Sequence, residues 1–183
     1  MNFLHYIKQA LKIIIIDKKA IREVAKDKKA TVPAIIFSII GLLIYAYVSF
    51  VKKSSLGGIY LDFLLSVLMI VGMLGLIHLL ARLFGSKDKF IHFFRPIMLF
   101  SLFDIIYLLV LIPKISVLTS IIFLIWGIIV NFVVIKEAYR LSTGRSIGVL
   151  VLSFLALIFI FIMISMVVGM IFFAQNPALY MPK

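Results

Sequence analysis

The segment IGVLVLSFLALIFIFIMISMVVGMIFF, residues 147–173, decides the class of this protein, because it contains no charged side chain over its whole length. A bilayer hydrocarbon core of about 30 Å is crossed by about 20 apolar residues of helix. Unpaired backbone polar groups are too costly in lipid for an open strand or an irregular chain to cross it. The segment therefore predicts a transmembrane α-helix, and the chain an integral membrane protein.

Four earlier segments predict further crossings. The third is the weakest, because its apolar part, residues 97–112, reaches full length only if the helix starts earlier, near Phe90, with Arg95 snorkelling to the headgroups. The predicted spans are residues 32–51, 59–81, 94–112, 115–135 and 147–173. We therefore predict an all-α bundle of five transmembrane helices within residues 32–173, between a basic segment 1–31 and a short tail 174–183.

The composition of the chain supports a membrane location. The hydrophobic fraction is 64%, whereas soluble domains have roughly 45 to 50% apolar residues. The net charge of +12 is carried between the apolar spans, which favours an anionic membrane leaflet over nucleic acid as the partner. The chain has no cysteine, which excludes disulfides, thiolate metal sites and cysteine nucleophiles.

The distribution of Lys and Arg predicts the orientation of the chain. With five spans, 15 of these residues lie on the side of the N-terminus and 4 on the other side. Because cytoplasmic flanks carry the excess of basic residues, we predict a cytoplasmic N-terminus and an external C-terminus. The same asymmetry supports the third crossing, since four crossings would place the basic turn between Lys136 and Arg145 on the wrong side.

The N-terminal segment predicts one or two amphipathic helices. Apolar residues recur at three- and four-residue spacing from Phe3 to Ile15, and Asp17 can cap a second, strongly basic helix. One interpretation places both helices along the cytoplasmic surface of the membrane. The alternative packs the first helix against the underside of the bundle.

Three polar residues inside the spans are candidates for function. Asp104 lies within the third span, where a charge is expensive. It either relays protons or cations, or it fixes helix packing through a hydrogen bond to a neighbouring helix. Asn131 and His78 are predicted at similar depth near the cytoplasmic ends of their spans and could share a hydrogen bond.

Glycines in the spans and at the start of the last helix suggest where helices approach each other. Gly72 and Gly75 could admit a neighbouring helix, and Gly144 and Gly148 have the four-residue spacing of a packing motif. The familiar signatures of enzymes are missing, and no histidine pair has metal-ligand spacing. We therefore predict a protein that is not an enzyme, with no cofactor and no metal.

Two basic turns carry a resemblance to a known family. The stretch ARLFGSKDKF, residues 81–90, followed by Arg95 and Pro96, resembles the aromatic, glycine and basic turn of the Yip domain family, which is named for interaction with Ypt/Rab GTPases. The stretch KEAYRLSTGR, residues 136–145, is similar to the family's turn between its last two spans. The resemblance implies five helices and a cytoplasmic N-terminus and, in eukaryotic relatives, Rab binding and vesicle trafficking. The long polar N-terminal region of those relatives is missing here, so GTPase binding is not carried over.

The leading hypothesis is a membrane-organising or partner-binding scaffold in a prokaryotic plasma membrane. Its partners would be the bilayer, with anionic lipids, and an unidentified protein or a second copy of the chain. The predicted contacts are the cytoplasmic cations Lys18, Lys19, Lys26, Lys28, Lys29, Arg82, Lys87, Lys89, Arg140 and Arg145. The alternatives are a small transporter or permease component that uses Asp104 for proton or cation coupling, and an accessory subunit of a larger complex.

Overall fold

The computed structural model describes the backbone of residues 3–53 and 56–175, and the side chains of residues 3–52 and 63–166. The regular elements in these ranges are helices, which confirms the all-α prediction. They are α1 (Phe3–Ile14), α2 (Lys18–Lys26), α3 (Thr31–Lys53), α4 (Leu56–Leu83), α5 (Phe90–Phe100), α6 (Ser116–Ala138) and α7 (Thr143–Gln175). A 3₁₀ turn, Lys28–Ala30, precedes α3, and a 3₁₀ helix, Ser101–Leu111, continues α5.

Five helical stretches of the described chain are long and apolar enough to cross a membrane, as predicted. They are Lys28–Lys52, Phe63–Leu83, Phe90–Leu111, Ser116–Ala138 and Thr143–Met166. The third begins at Phe90, the earlier of the two starts considered above. It consists of α5 and the 3₁₀ helix together.

The 3₁₀ helix explains how a short apolar segment becomes a full span. A 3₁₀ helix rises about 2.0 Å per residue against 1.5 Å for an α-helix, so its 11 residues extend about 22 Å instead of about 17 Å. Runs of this length are uncommon and often mark a functional or strained segment. Asp104 lies within this run.

A side-chain cap and a glycine determine where two helices begin and end at the end of the bundle that carries the N-terminal helices. The Asp17 carboxylate accepts hydrogen bonds from the backbone N–H groups of Lys19 and Ala20 at 2.8 and 3.1 Å, which caps α2. Gly85 ends α4 with φ +92°, a conformation that glycine adopts without a Cβ penalty. Ser86 N–H then donates back to the Ala81 carbonyl at 2.9 Å.

Most buried residues lie at one end of the bundle. We call this the basic end; it comprises α1, α2, the 3₁₀ turn and the turns 84–89 and 139–142. In α4 the buried positions are Leu74, Ile77 and Ala81, and in α7 burial stops at Ser153 within the described side chains. The other half of the bundle exposes apolar side chains, as expected of a surface that faces lipid.

Helix α1 packs against the bundle through its inner face. Ala10 and Ile13 are fully buried in the same hydrophobic cluster as residues of α3 to α7. The indole Nε1 of Trp126, in α6, donates to the Ile14 carbonyl at 2.9 Å. This matches the packing alternative, while the outer face of α1 keeps apolar side chains such as Leu11 exposed beside Lys12.

Candidate functional site at the basic end

All ten cations predicted as contacts are exposed. Helix α2 carries Lys18, Lys19 and Lys26, and the 3₁₀ turn carries Lys28 and Lys29. The remaining five are Arg82 at the end of α4, Lys87 and Lys89 in the following turn, and Arg140 and Arg145 at the junction of α6 and α7. The fold therefore presents these side chains to solvent or headgroups from one end of the bundle.

A cleft of about 410 Å³ lies between α2, the α4–α5 turn and the α6–α7 turn. We call it the basic cleft. Its lining residues are Arg22, Ala25, Lys26, Asp88, His92, Lys136, Glu137, Ala138, Arg140 and Leu141. Of the predicted contacts, only Lys26 and Arg140 line it, and the hypothesis from sequence did not include Arg22, His92 or Lys136.

Both carboxylates of the basic cleft are engaged. Arg22 Nε lies 2.6 Å from Glu137 Oε2, with the Glu137 side chain 5% exposed and the Arg22 side chain 62% exposed. Asp88 lies 3.2 Å from His92 Nδ1 and 3.9 Å from Arg140 Nε. Within the described ranges no carboxylate lies within ion-pair distance of Lys26. The cleft therefore keeps cations whose charge is only partly compensated.

One wall of the basic cleft is held in place by Arg95, for which the snorkelling interpretation is wrong. Arg95 is only 6% exposed. Its Nη1 donates to the Ala25 carbonyl at 2.9 Å, and its Nε donates to Thr31 Oγ1 at 2.9 Å. The Ala25 carbonyl is in the last turn of α2, where carbonyls lack helical partners and carry the negative end of the helix dipole. Arg95 thus joins α5 to α2 instead of reaching for headgroups.

The predicted hydrogen bond between His78 and Asn131 is wrong. His78 Nδ1 lies 2.9 Å from the Tyr139 hydroxyl oxygen. Asn131 Nδ2 donates to the Gly127 carbonyl of its own helix at 2.9 Å. Tyr139 is 1% exposed, and its ring stacks on Phe93 at a centroid distance of 5.3 Å. Tyr139 therefore connects α4 and α5 to the turn that carries Arg140.

A scan against protein-family models matches the Yip1 domain over residues 11–166. The chain belongs to the Yip1 domain family. The match includes α2 and both basic turns, and it confirms the resemblance drawn from residues 81–90 and 136–145. No curated protein and no solved structure matches the chain significantly.

In this Yip1-domain chain, Asp104 lines a cavity between α3, α4, α5 and the 3₁₀ helix. It is 9% exposed, and it shares this cavity of about 160 Å³ with Ser38 and Ser101. A neighbouring cavity of about 430 Å³ shares Leu42 and Tyr45 with it. The smaller cavity thus combines the residues Ser38, Ser101 and Asp104 with apolar neighbours, and Lys52 lines the larger one.

The Asp104 carboxylate packs against the backbone of α3 at Gly41. A Cβ at Gly41 would overlap Oδ2 of Asp104 and lie 3.1 Å from its Cγ. No hydrogen-bond donor among the described residues reaches this carboxylate, so the predicted hydrogen bond to a neighbouring helix is not present there. Asp104 therefore contacts α3 at Gly41 and also lines the cavity.

The glycines divide into those in contact with another helix and those with open space beside them. A Cβ at Gly72, Gly75 or Gly144 would meet nothing within 4 Å, so the close approach expected at Gly72 and Gly75 is wrong for the described residues. A Cβ at Gly148 would lie 2.9 Å from the Phe84 ring. Gly148 therefore lets the start of α7 approach the end of α4.

Proposed function

We propose that this Yip1-domain protein is a non-enzymatic scaffold that binds an anionic lipid surface or a partner protein through its basic end. The main observation that supports this proposal is that ten exposed Lys and Arg side chains lie at one end of the bundle. The excess of Lys and Arg on that side supports a cytoplasmic location for it. A prokaryotic plasma membrane, with its anionic lipids, fits this arrangement.

The packing of the basic end supports binding by a fixed surface. Each Lys or Arg near an anionic membrane contributes about 1 kcal/mol. Helix α2 is anchored through buried Ile21 and through the hydrogen bond that Arg95 donates to the Ala25 carbonyl. Its lysines are therefore presented from a rigid helix, and little backbone entropy is lost on binding.

Capture of vesicles by the full-length protein in neutral nanodiscs tests this function. We expect capture of phosphatidylglycerol vesicles, no capture of phosphatidylcholine vesicles, and release at high salt because exposed charges are screened. Replacing Lys18, Lys19, Lys28 and Lys29 by Gln should weaken the capture. Equal capture of neutral vesicles, or no effect of the quadruple variant, would contradict lipid binding. Native co-purification would then decide whether a protein partner or a second copy occupies the surface.

A second candidate function is a small transporter or permease component. The cavity lined by Asp104 favours it, because this cavity lies between spans and shares Leu42 and Tyr45 with the larger cavity beside it. Proton or cation flux into proteoliposomes should then depend on Asp104. Flux that is unchanged in Asp104→Asn would remove this candidate.

A further inference from the structure

The basic cleft combines charges that are far apart in the sequence. Arg22 and Lys26 come from α2, Lys136 from the last turn of α6, and Arg140 from the turn that follows. Arg22 and Glu137 are separated by 115 residues and meet at 2.6 Å. The cleft is therefore a product of the packing of α2 against α6.

The lining of the cleft has an excess of positive charge. Its four Lys and Arg side chains face two carboxylates, Asp88 and Glu137, and one imidazole, His92. Glu137 is neutralised by Arg22, and the closest partner of Asp88 is His92 at 3.2 Å. With four cations against two carboxylates, the lining keeps two surplus positive charges. Lys136 donates to the Thr143 hydroxyl at 2.8 Å, whereas Arg140 lies 3.9 Å from Asp88 and the Lys26 side chain makes no hydrogen bond within the described residues. Lys26 and Arg140 are therefore the cations whose donors are left to bind a ligand.

The backbone at Arg140 supports a role for its side chain. Arg140 has φ +50°, in the left-handed region that L side chains adopt at an energetic cost. The corresponding position after α4 is occupied by Gly85, with φ +92°. A helix end of this kind is usually made by glycine, although Ile16 adopts φ +65° at the same position after α1. Arg140 lines the cleft, and its Nε lies 3.9 Å from the Asp88 carboxylate.

We propose that the basic cleft binds a phosphate monoester group, with Lys26 and Arg140 as its direct contacts. A phosphate monoester carries a charge of about −1.5 to −2 at pH 7, which matches the two surplus positive charges. A guanidinium fork and an ammonium are the groups that bind such oxygens. The group can belong to a lipid headgroup such as that of phosphatidic acid or to a small soluble phosphate. This inference rests on the proposed function of the basic end and narrows it to one ligand class.

Native mass spectrometry of the full-length protein in neutral detergent tests the proposal with two lipids. Phosphatidic acid presents a monoester and phosphatidylglycerol a diester on similar acyl chains. We expect the wild type to prefer phosphatidic acid by about tenfold or more in Kd, because the second phosphate charge is bound by Lys26 and Arg140. Equal affinity for the two lipids would overturn the proposal.

A matched pair of variants separates the cleft from the general basic surface. Lys26→Gln with Arg140→Gln removes two cations that line the cleft. Lys28→Gln with Lys29→Gln removes two exposed cations at the same end that do not line it. We expect the first variant to lose the monoester preference and the second to keep it. Thermal stability of each variant, measured in the same detergent, confirms that it is folded.

The outcomes distinguish failure of the cleft from failure of the proposed function. If both variants lose affinity for both lipids equally, the basic end binds anions but the cleft proposal is overturned. If the wild type binds neither lipid, the cleft proposal and the proposed function are both overturned.

Competition by glycerol 3-phosphate and inorganic phosphate identifies whether the bound phosphate group belongs to a lipid or to a soluble molecule. Displacement of phosphatidic acid supports a soluble phosphate in the cleft, and resistance to displacement supports a lipid headgroup there.

Discussion

Replacing Gly41 by Ala tests the close packing of α3 against the 3₁₀ helix. The added Cβ would overlap Oδ2 of Asp104 and lie 3.1 Å from its Cγ and 3.3 Å from the Cβ of Ser101. Since two of the three contacts are near the backbone of the 3₁₀ helix, rotation of one side chain cannot relieve them all. The substitution therefore requires a shift between the two segments.

The expected change in stability of Gly41→Ala follows from two opposing effects. Overpacking of a well-packed site costs about 1 to 3 kcal/mol, whereas Gly to Ala in a helix interior gains about 1 kcal/mol of helix propensity. We expect Gly41→Ala to destabilise the protein by up to about 2 kcal/mol relative to the wild type, and by about 1 to 3 kcal/mol relative to a helix glycine whose replacement by Ala meets no neighbour. Gly72→Ala is the matched control, because its Cβ would meet nothing within 4 Å, and it should be neutral or stabilising.

The thermal stability of the detergent-solubilised protein, followed by loss of the monodisperse chromatographic peak, measures both variants. One kcal/mol corresponds to about 2 to 4 °C for a chain of this size. A cycle with Asp104→Ala identifies the cause, since removal of the carboxylate should recover more than about 0.5 kcal/mol of the loss in Gly41→Ala. Equal melting temperatures of Gly41→Ala and Gly72→Ala would refute the reasoning. So would a loss that is unchanged in the Asp104→Ala background.

Three further substitutions test contacts at the basic end. Arg95→Met should lower the thermal stability in the same assay by about 1 to 3 kcal/mol, because the buried Ala25 carbonyl loses its hydrogen-bond donor. A stability equal to that of the wild type would mean that this hydrogen bond contributes nothing. Trp126→Phe removes the hydrogen bond to the Ile14 carbonyl, so trypsin should cleave within α1 faster than in the wild type. An unchanged cleavage rate would mean that this hydrogen bond does not hold α1 against the bundle. Burial and the hydrogen bond to Asp27 raise the pKa of Tyr6 from 10.0 to about 12. Folding stability from this group is therefore present below pH 10 and is lost as the pH rises through about 12, and Tyr6→Phe should flatten the stability profile over that window.

The sequence determined the number of spans and the location of the basic residues. Both depend on quantities that are local along the chain, namely the length of an apolar run and the charge of its flanks. The charge asymmetry supported even the short third span, although the 3₁₀ geometry of Ser101–Leu111 could not be inferred from hydropathy. The two basic turns carried a resemblance to the Yip domain family, and the family model that matches residues 11–166 confirms it.

The sequence predicts contacts between polar side chains less well than it predicts spans, and His78 is an example. Depth along a helix follows from residue number, and it predicts that His78 and Asn131 lie at a similar level. A hydrogen bond also requires that both side chains point toward each other, which depends on the rotation of each helix about its axis. The near-uniform apolar composition of α4 and α6 leaves this rotation open. Tyr139, beyond the end of α6, was the actual partner of His78.

The tertiary structure alone decided which cations lie together in one cleft. The sequence indicated ten exposed basic residues at one end, and all ten are exposed. Only the packing of α2 against α6 showed that Lys26 and Arg140 share a cleft with Arg22 and Lys136. Charge is a property of each residue and can be read from the chain, whereas a binding site requires distances between residues that are far apart in sequence, and those are set when the helices pack.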